Sequence, residues 1–235
     1  MPNPSGPYPG RQLLMGLTAS GKPCLAYLVT GRSPESRQRK AIAIENGVRM
    51  GPLGDSPYDA LRHYTALKYD NSAGIAVITN GIQTEAIFET YKLLFNVGTP
   101  ATHDYMAKLM EGANAEPDSL HTPRIGGVII INKGSPVFIV GIKTLNAPAA
   151  AYQVAPAAGH LTGISTYQGN MDNPEPTNPT ARLSWIEFSG NTPQELAKYL
   201  YDISEATYKG EDIRVCALGG IYSDNTWKIA IINKY

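Results

Sequence analysis

Apolar and polar residues alternate in short runs along much of this chain, and runs of that length bounded by Gly, Pro, Asn or Asp are the signature of β-strands. Gln12–Thr18 and Cys24–Thr30 flank Ser20-Gly21-Lys22-Pro23 and predict a hairpin. A third strand is expected at Ala41–Glu45, and a strand pair at Tyr64–Tyr69 and Gly74–Thr79, joined by Asp70-Asn71-Ser72. The period then changes. Over Thr84–Val97, residues Ile87, Phe88, Tyr91, Leu94 and Phe95 fall on one helical face, and His103–Glu111 continues helical with Met106, Leu109 and Met110 inward. Ile125–Asn132 and Val137–Leu145 return to strand, and the β-branched run Val128-Ile129-Ile130-Ile131 reads as fully buried. A weaker strand pair is expected near Tyr152–Ala155 and Gly163–Tyr167, and another strand at Leu183–Phe188. Thr192-Pro193-Gln194-Glu195 opens a helix with a hydroxyl cap, a first-turn proline and Glu at the third position; Leu196, Leu200, Ile203 and Thr207 mark its inward face. Val215–Ile221 and Trp227–Ile232 close the chain as strands.

The sum is about ten strands and three helices. Their order (strands, two helices, strands, one helix, strands) lacks the alternation of a parallel doubly wound sheet and suits two antiparallel sheets packed together with helices outside, an α+β fold. Gln168–Pro179 is turn-rich but has strands on both sides, so it is expected as a loop within one domain over residues 1–235, with 1–7 a flexible N-terminal extension.

Composition narrows the function. Twenty basic residues balance twenty acidic ones, which argues against a whole-surface affinity for nucleic acid or anionic membrane. Cys24 and Cys216 are far apart in apolar contexts, as in a reducing compartment. The opening residues have neither the basic nor the apolar region of a signal peptide, and no apolar run reaches the length of a membrane span. The expectation is a cytoplasmic protein.

Two segments carry candidate chemistry. Gly31-Arg32-Ser33-Pro34-Glu35-Ser36-Arg37-Gln38-Arg39 is a basic loop, read either as surface charge or as a phosphate grip. Forked guanidiniums suit phosphate oxygens, Ser33 and Ser36 add hydroxyl donors, and Gly31 would let the backbone approach an anion. Glu116-Pro117-Asp118 precedes His121-Thr122-Pro123-Arg124-Ile125: a hydrophilic loop before a strand, or acid/base carboxylates at the rim of a sheet. Thr79-Asn80-Gly81-Ile82-Gln83-Thr84 sits where a strand gives way to a helix; it is either a turn with an N-cap or a place where Asn80 and Gln83 present amides to a ligand. Tyr64 by itself is more typical of a core than of a catalytic group. Gly16-Leu17-Thr18-Ala19-Ser20-Gly21-Lys22 follows a phosphate-loop spacing until Pro23 replaces the required hydroxyl and blocks the helix, so the hairpin reading prevails. The four histidines show no metal-ligand spacing, and no Gly-x-Ser-x-Gly elbow is present.

Taken in order, Gly10-Arg11, Arg32-Ser33 with Arg37, Asn80-Gly81 with Thr84, Glu116 with Asp118, Thr122-Pro123-Arg124-Ile125, Ser165-Thr166-Tyr167 and Glu187-Phe188 make the chain resemble the archaeal-type IMP cyclohydrolases. The resemblance runs from about Tyr8 to the final strands. It implies the four-layer α-β-β-α sandwich of the N-terminal-nucleophile hydrolases, without their processed nucleophile. It also implies closure of a purine-precursor ribonucleotide, a formylated aminoimidazole carboxamide, to inosine monophosphate with loss of water. No cofactor or metal is implied. By the same resemblance Glu116 is expected in proton transfer, Tyr64 as partner acid or hydrogen-bond donor, and Asn80 on a substrate oxygen. Arg11, Arg32, Ser33, Arg37, Gln83, Thr84 and Arg124 are expected to hold substrate and phosphate. Self-association is expected from the family and the aromatic-rich strands. The competing readings are a nucleotide sensor that has lost the chemistry, or an amide hydrolase or cyclohydrolase for a related nucleotide; the hydrolase would need an exposed N-terminal Cys, Ser or Thr.

Overall fold

The hairpin at the head of the chain forms as expected: β1 (Arg11–Leu17) and β2 (Pro23–Thr30) pair antiparallel across the Ser20-Gly21 turn in a computed structural model that describes residues 8–55, 57–132, 134–180 and 183–235. The extension expected at 1–7 lies outside the described residues. The basic loop holds a single helical turn, α1 (Pro34–Arg37), and leads into β3 (Arg39–Ile44) and β4 (Gly47–Pro52). Next come β5 (Thr65–Asp70), β6 (Ile75–Thr79), α2 (Thr84–Asn96) and α3 (His103–Ala113). The middle of the chain ends with β7 (Arg124–Asn132), β8 (Ser135–Lys143) and β9 (Ala150–Val154). Then follow β10 (His160–Ser165), the short ribbon β11 (Tyr167–Gly169) and β12 (Pro174–Pro176), β13 (Ser184–Glu187) and α4 (Pro193–Ile203). A second ribbon, β14 (Thr207–Tyr208) and β15 (Glu211–Asp212), precedes the long strands β16 (Arg214–Ser223) and β17 (Thr226–Asn233).

Two antiparallel sheets carry the fold, in agreement with the α+β reading. One is a seven-stranded meander running β3 through β9 in chain order; the other has the order β13-β10-β1-β2-β16-β17 and is built from both halves of the chain. Strand alternation explains why their sequences are apolar on both faces. In β2, Leu25, Tyr27 and Val29 enter the core between the sheets, while Cys24, Ala26 and Leu28 enter a second core under α4. In β7, Ile125 and Ile129 face the other sheet, whereas Val128 and Ile130 pack under α2 and α3 with Ile87, Phe88, Tyr91, Met106 and Met110. At one edge the sheets are tied by a side chain: the Asn233 amide accepts from Ala41 N at 2.8 Å and donates to Ala41 O at 3.0 Å, standing in for a strand partner.

Several expectations need correction. The strands near Tyr152 and Gly163 are not a pair: β9 joins β8, and β10 joins β1 and β13 in the other sheet. Strand β4, with glycine and proline at its ends, was not expected, and Gln168–Pro179 carries a short ribbon rather than loop alone. The inward face of α4 stops at Leu200; Ile203 is exposed, and Thr207 belongs to β14. Phe95 lies on the open side of α2. Among the described residues no helix is long and apolar enough to cross a membrane.

Candidate active site

The segment between α3 and β7 turns sharply, with Asn114 and His121 both at positive φ, and is closed by Glu116 N–H donating to Thr122 O at 2.8 Å. This closure drives Glu116 inward until it is 2 % exposed. Its Oε1 meets Arg11 Nη2 at 2.7 Å, Arg124 Nη1 at 2.9 Å and Asn80 Nδ2 at 3.4 Å. The Arg11 contact is off the hydrogen-bonding angle, so it is a charge contact, and Arg11 Nε has no hydrogen-bond partner among the described residues. Burial pulls the Arg11 guanidinium down, but Glu116 and the phenols of Tyr64, Tyr27 and Tyr167 outweigh it, and the net shift is well upward. Burial also lowers Arg124, which Glu116 opposes and Arg11 reinforces, leaving Arg124 below its ordinary value.

Asn80 directly follows β6 and holds this corner together. Its Oδ1 accepts from Ile125 N at 2.8 Å and Gln83 Nε2 at 3.1 Å, while its Nδ2 donates to Pro123 O at 2.8 Å. Gln83 also donates to Ile125 O, and the Thr84 hydroxyl is shared among Thr65 O, Thr79 and Gly81 O. A Cβ on Gly81 would lie 2.0 Å from Arg124 Nη1, so only glycine lets that guanidinium pass on its way to Glu116.

Arg11 also lines an open cleft of about 520 Å³. The cations around it are Arg11, Arg32, Arg39 and Lys209; Ser33, Ser36, Thr30 and Thr122 add hydroxyls, Asp118 a carboxylate, and Tyr8, Tyr167 and Tyr208 aromatic surface. Tyr8 and Tyr167 stack with centroids 5.6 Å apart, and the Arg32 guanidinium lies 5.4 Å from the Tyr8 ring and 5.8 Å from the Tyr208 ring. Arg39 is 3 % exposed, and its Nε and Nη1 have no hydrogen-bond partner among the described residues. A buried guanidinium with unmet donors at a cleft wall is arranged for an anion.

The expected residues therefore fall into two groups. Glu116, Asn80, Gln83, Thr84, Arg124 and Tyr64 are buried, with Tyr64 OH 2.8 Å from Tyr27 OH; Arg32, Ser33 and Arg11 reach the cleft. Arg37 joins neither group. Its Nη1 donates to Gly31 O at 3.2 Å and Arg32 O at 2.7 Å, bracing its own loop. The space above Gly31, expected to admit an anion, is taken by Ser36, whose Oγ lies 2.3 Å from where a Cβ would stand. Asn80 likewise spends both ends of its amide on the protein, and Thr84 is the first residue of α2 rather than its cap. Among the described residues no group of three or more His, Cys, Asp or Glu is placed to hold a metal ion.

Comparison with known proteins adds the decisive observation. Residues 8–226 match the model of the family described as IMP cyclohydrolase-like protein. The chain belongs to this family. Its relatives include the IMP cyclohydrolase of Methanocaldococcus jannaschii, 31% identical over 203 residues that cover 84% of this chain and 88% of that protein. Those of Methanocella arvoryzae and Methanococcus aeolicus are 25% and 28% identical, covering 96% and 83% of this chain and 98% and 88% of theirs.

Within this member of the family, sequence reasoning left out Tyr8, Tyr167, Tyr208 and Lys209 as cleft residues, and took Arg39 only as part of the basic loop, not as a named substrate contact. The place of Arg39 was findable. Arg39 is in phase with Ala41 on the buried side of β3, whereas Lys40 and Ile42 are not, so strand alternation separates Arg39 from the rest of the basic loop. Tyr208 and Lys209 sit at a tight turn, Lys209-Gly210 with both φ positive, and nothing in their local pattern announces a cleft.

Proposed function

We propose that this protein is an IMP cyclohydrolase that closes 5-formamidoimidazole-4-carboxamide ribonucleotide to inosine monophosphate with release of water. The observation that carries the reading is the cleft of arginines, hydroxyls and tyrosines joined through Arg11 to a buried carboxylate, in a chain whose family is IMP cyclohydrolase-like. Arg39, with Ser33 and Lys209, takes the phosphate. The tyrosine faces take the base. The carboxamide nitrogen is a weak nucleophile because its lone pair is delocalised, so a proton must leave as it attacks the formyl carbon. We assign that proton transfer to Glu116, whose Oε1 is held by Arg11, Arg124 and Asn80 so that Oε2 is the oxygen left to act. Positive charge on Arg11 offsets the oxyanion that develops. Both reacting groups belong to one molecule, so holding them coplanar contributes several kcal/mol, on the order of that seen in oriented intramolecular reactions.

The sheets and outer helices support the layered architecture of the N-terminal-nucleophile hydrolases, used here without a processed nucleophile. The same reading carries one catalytic domain over the chain, a cytoplasmic location and self-association. The test is an absorbance assay of the purified protein with the formylated ribonucleotide, beside the Glu116→Gln variant. Formation of inosine monophosphate that the variant loses is the expected result; tight binding without turnover by the unaltered protein would turn the reading into that of a sensor.

A further inference from the structure

Asp118, Thr122 and Tyr167 all line the cleft and form one hydrogen-bonded chain. Asp118 Oδ1 accepts from Thr122 N at 2.8 Å, its Oδ2 accepts from the Thr122 hydroxyl, and Thr122 Oγ1 meets Tyr167 OH. The direction of the chain follows from counting protons. A carboxylate only accepts, so the single Thr122 proton goes to Asp118, and Thr122 Oγ1 must accept from Tyr167. The phenol proton is thereby committed inward. Thr122 is 1% exposed and Tyr167 7% exposed, so the links are shielded from bulk water. Tyr64, the phenol expected in the reaction, is bonded to Tyr27 and does not line the cleft.

We propose that Tyr167, through Thr122 and Asp118, is a second proton carrier of the reaction, separate from Glu116. The inference rests on the cyclohydrolase reading. Ring closure removes one hydrogen from each of two nitrogens, the carboxamide nitrogen and the formamido nitrogen, and places both on the formyl oxygen, which departs as water. Two carriers that each take one proton and return one satisfy this balance. Glu116 serves one nitrogen. At the other, Tyr167 oxygen accepts the proton as its own passes to Thr122 and the Thr122 proton passes to Asp118. The reverse passage delivers a proton to the departing hydroxyl as the carbon–oxygen bond breaks. The chain ends in the state in which it began, and no co-reactant is consumed. Burial holds the Tyr167 phenol up at about 12, which keeps it neutral between turnovers.

The experiment is steady-state formation of inosine monophosphate, in ordinary and heavy water, by the unaltered protein and by Tyr167→Phe, Thr122→Val and Thr122→Ser. Phenylalanine keeps the ring that stacks on Tyr8, and serine keeps the hydroxyl. Tyr167→Phe and Thr122→Val are each expected to lower kcat by about 100-fold with KM within about threefold, the double variant falling no further than either alone. Thr122→Ser is expected to stay within about threefold of the unaltered kcat, and the solvent isotope effect to change only in the two variants that break the chain. If Thr122→Val does not fold, Tyr167→Phe carries the test. A Tyr167→Phe kcat within about twofold of the unaltered protein overturns the relay and leaves the cyclohydrolase reading standing; so does a variant whose KM alone rises. Absence of turnover by the unaltered protein overturns both.

Discussion

The buried corner around Glu116 and the cleft beside it share Arg11 and otherwise treat charge in opposite ways. In the corner, one carboxylate is matched by two arginines and an amide, and the surrounding amides and hydroxyls spend themselves on backbone. In the cleft, Arg39 is almost as deeply buried, and two of its donors have no hydrogen-bond partner among the described residues. The corner balances its charge from within the fold, although Arg11 Nε, Arg124 Nε and Gln83 Oε1 have no hydrogen-bond partner among the described residues. A cleft that leaves a cation without a counter-charge among the described residues has the chemistry to take an anion. The difference separates a carboxylate whose counter-charges the fold supplies from a cation without one among the described residues, and substitutions on the two sides should fail in different ways.

The largest effect should come from the corner. Glu116→Gln leaves Arg11 and Arg124 buried without their counter-charge, so denaturant unfolding should show a loss of about 3–5 kcal/mol together with the loss of turnover. In the cleft the pattern inverts. Arg39→Met removes a buried cation that has no counter-charge among the described residues, so stability should hold or rise while KM for the ribonucleotide increases by about 10- to 100-fold, the value of one charge-assisted hydrogen bond. A Met variant that unfolds as easily as Glu116→Gln would erase the contrast. Arg37→Ala should do less than either: it loosens the carbonyls of Gly31 and Arg32, so KM should rise by less than about fivefold with kcat unchanged. A separate effect, outside the contrast between corner and cleft, is on the alkaline limb of stability. Burial raises Cys24 and Cys216 to about 12 from an ordinary value of 9.0, and Tyr167 to about 12 from 10.0. Below about pH 9 these groups are protonated folded and unfolded alike; above it the unfolded chain releases protons first, so stability should decline between about pH 9 and 12 in a pH series of thermal melts. Replacing both cysteines with alanine should start that decline nearer the tyrosine range.

Much of the architecture was legible because alternation and helical period report directly on burial. The strands β1, β2, β5 to β8, β16 and β17 and the buried faces of α2 and α3 follow from those patterns. Pairing was less legible where partners are distant in the chain. Strands near Tyr152 and Gly163 look like neighbours in sequence, but β9 ends the meander and β10 crosses to the other sheet, and no local pattern encodes that choice. The site shows the same limit. Arg37 and Arg39 look equivalent as charges on a loop, and only the start of β3 turns one into the cleft and the other back on its own backbone. Asn80 and Gln83 look like free amides until Pro123 and Ile125 arrive from 40-odd residues away to claim them.

The order of the six-stranded sheet has a consequence for how the chain is made. The hairpin of β1 and β2 is made well before its sheet neighbours and ends up in the middle of that sheet, with β10 on one flank and β16 on the other. Both flanks wait for strands that begin at His160 and Arg214. At ordinary rates of translation that interval lasts on the order of ten seconds, during which two apolar strand edges have no partner. The seven-stranded meander, by contrast, can zip up strand by strand as it appears. Synthesis thus leaves this hairpin with open edges until β10 and β16 are made, and ribosome-bound intermediates stalled before Arg214 still present the β2 edge.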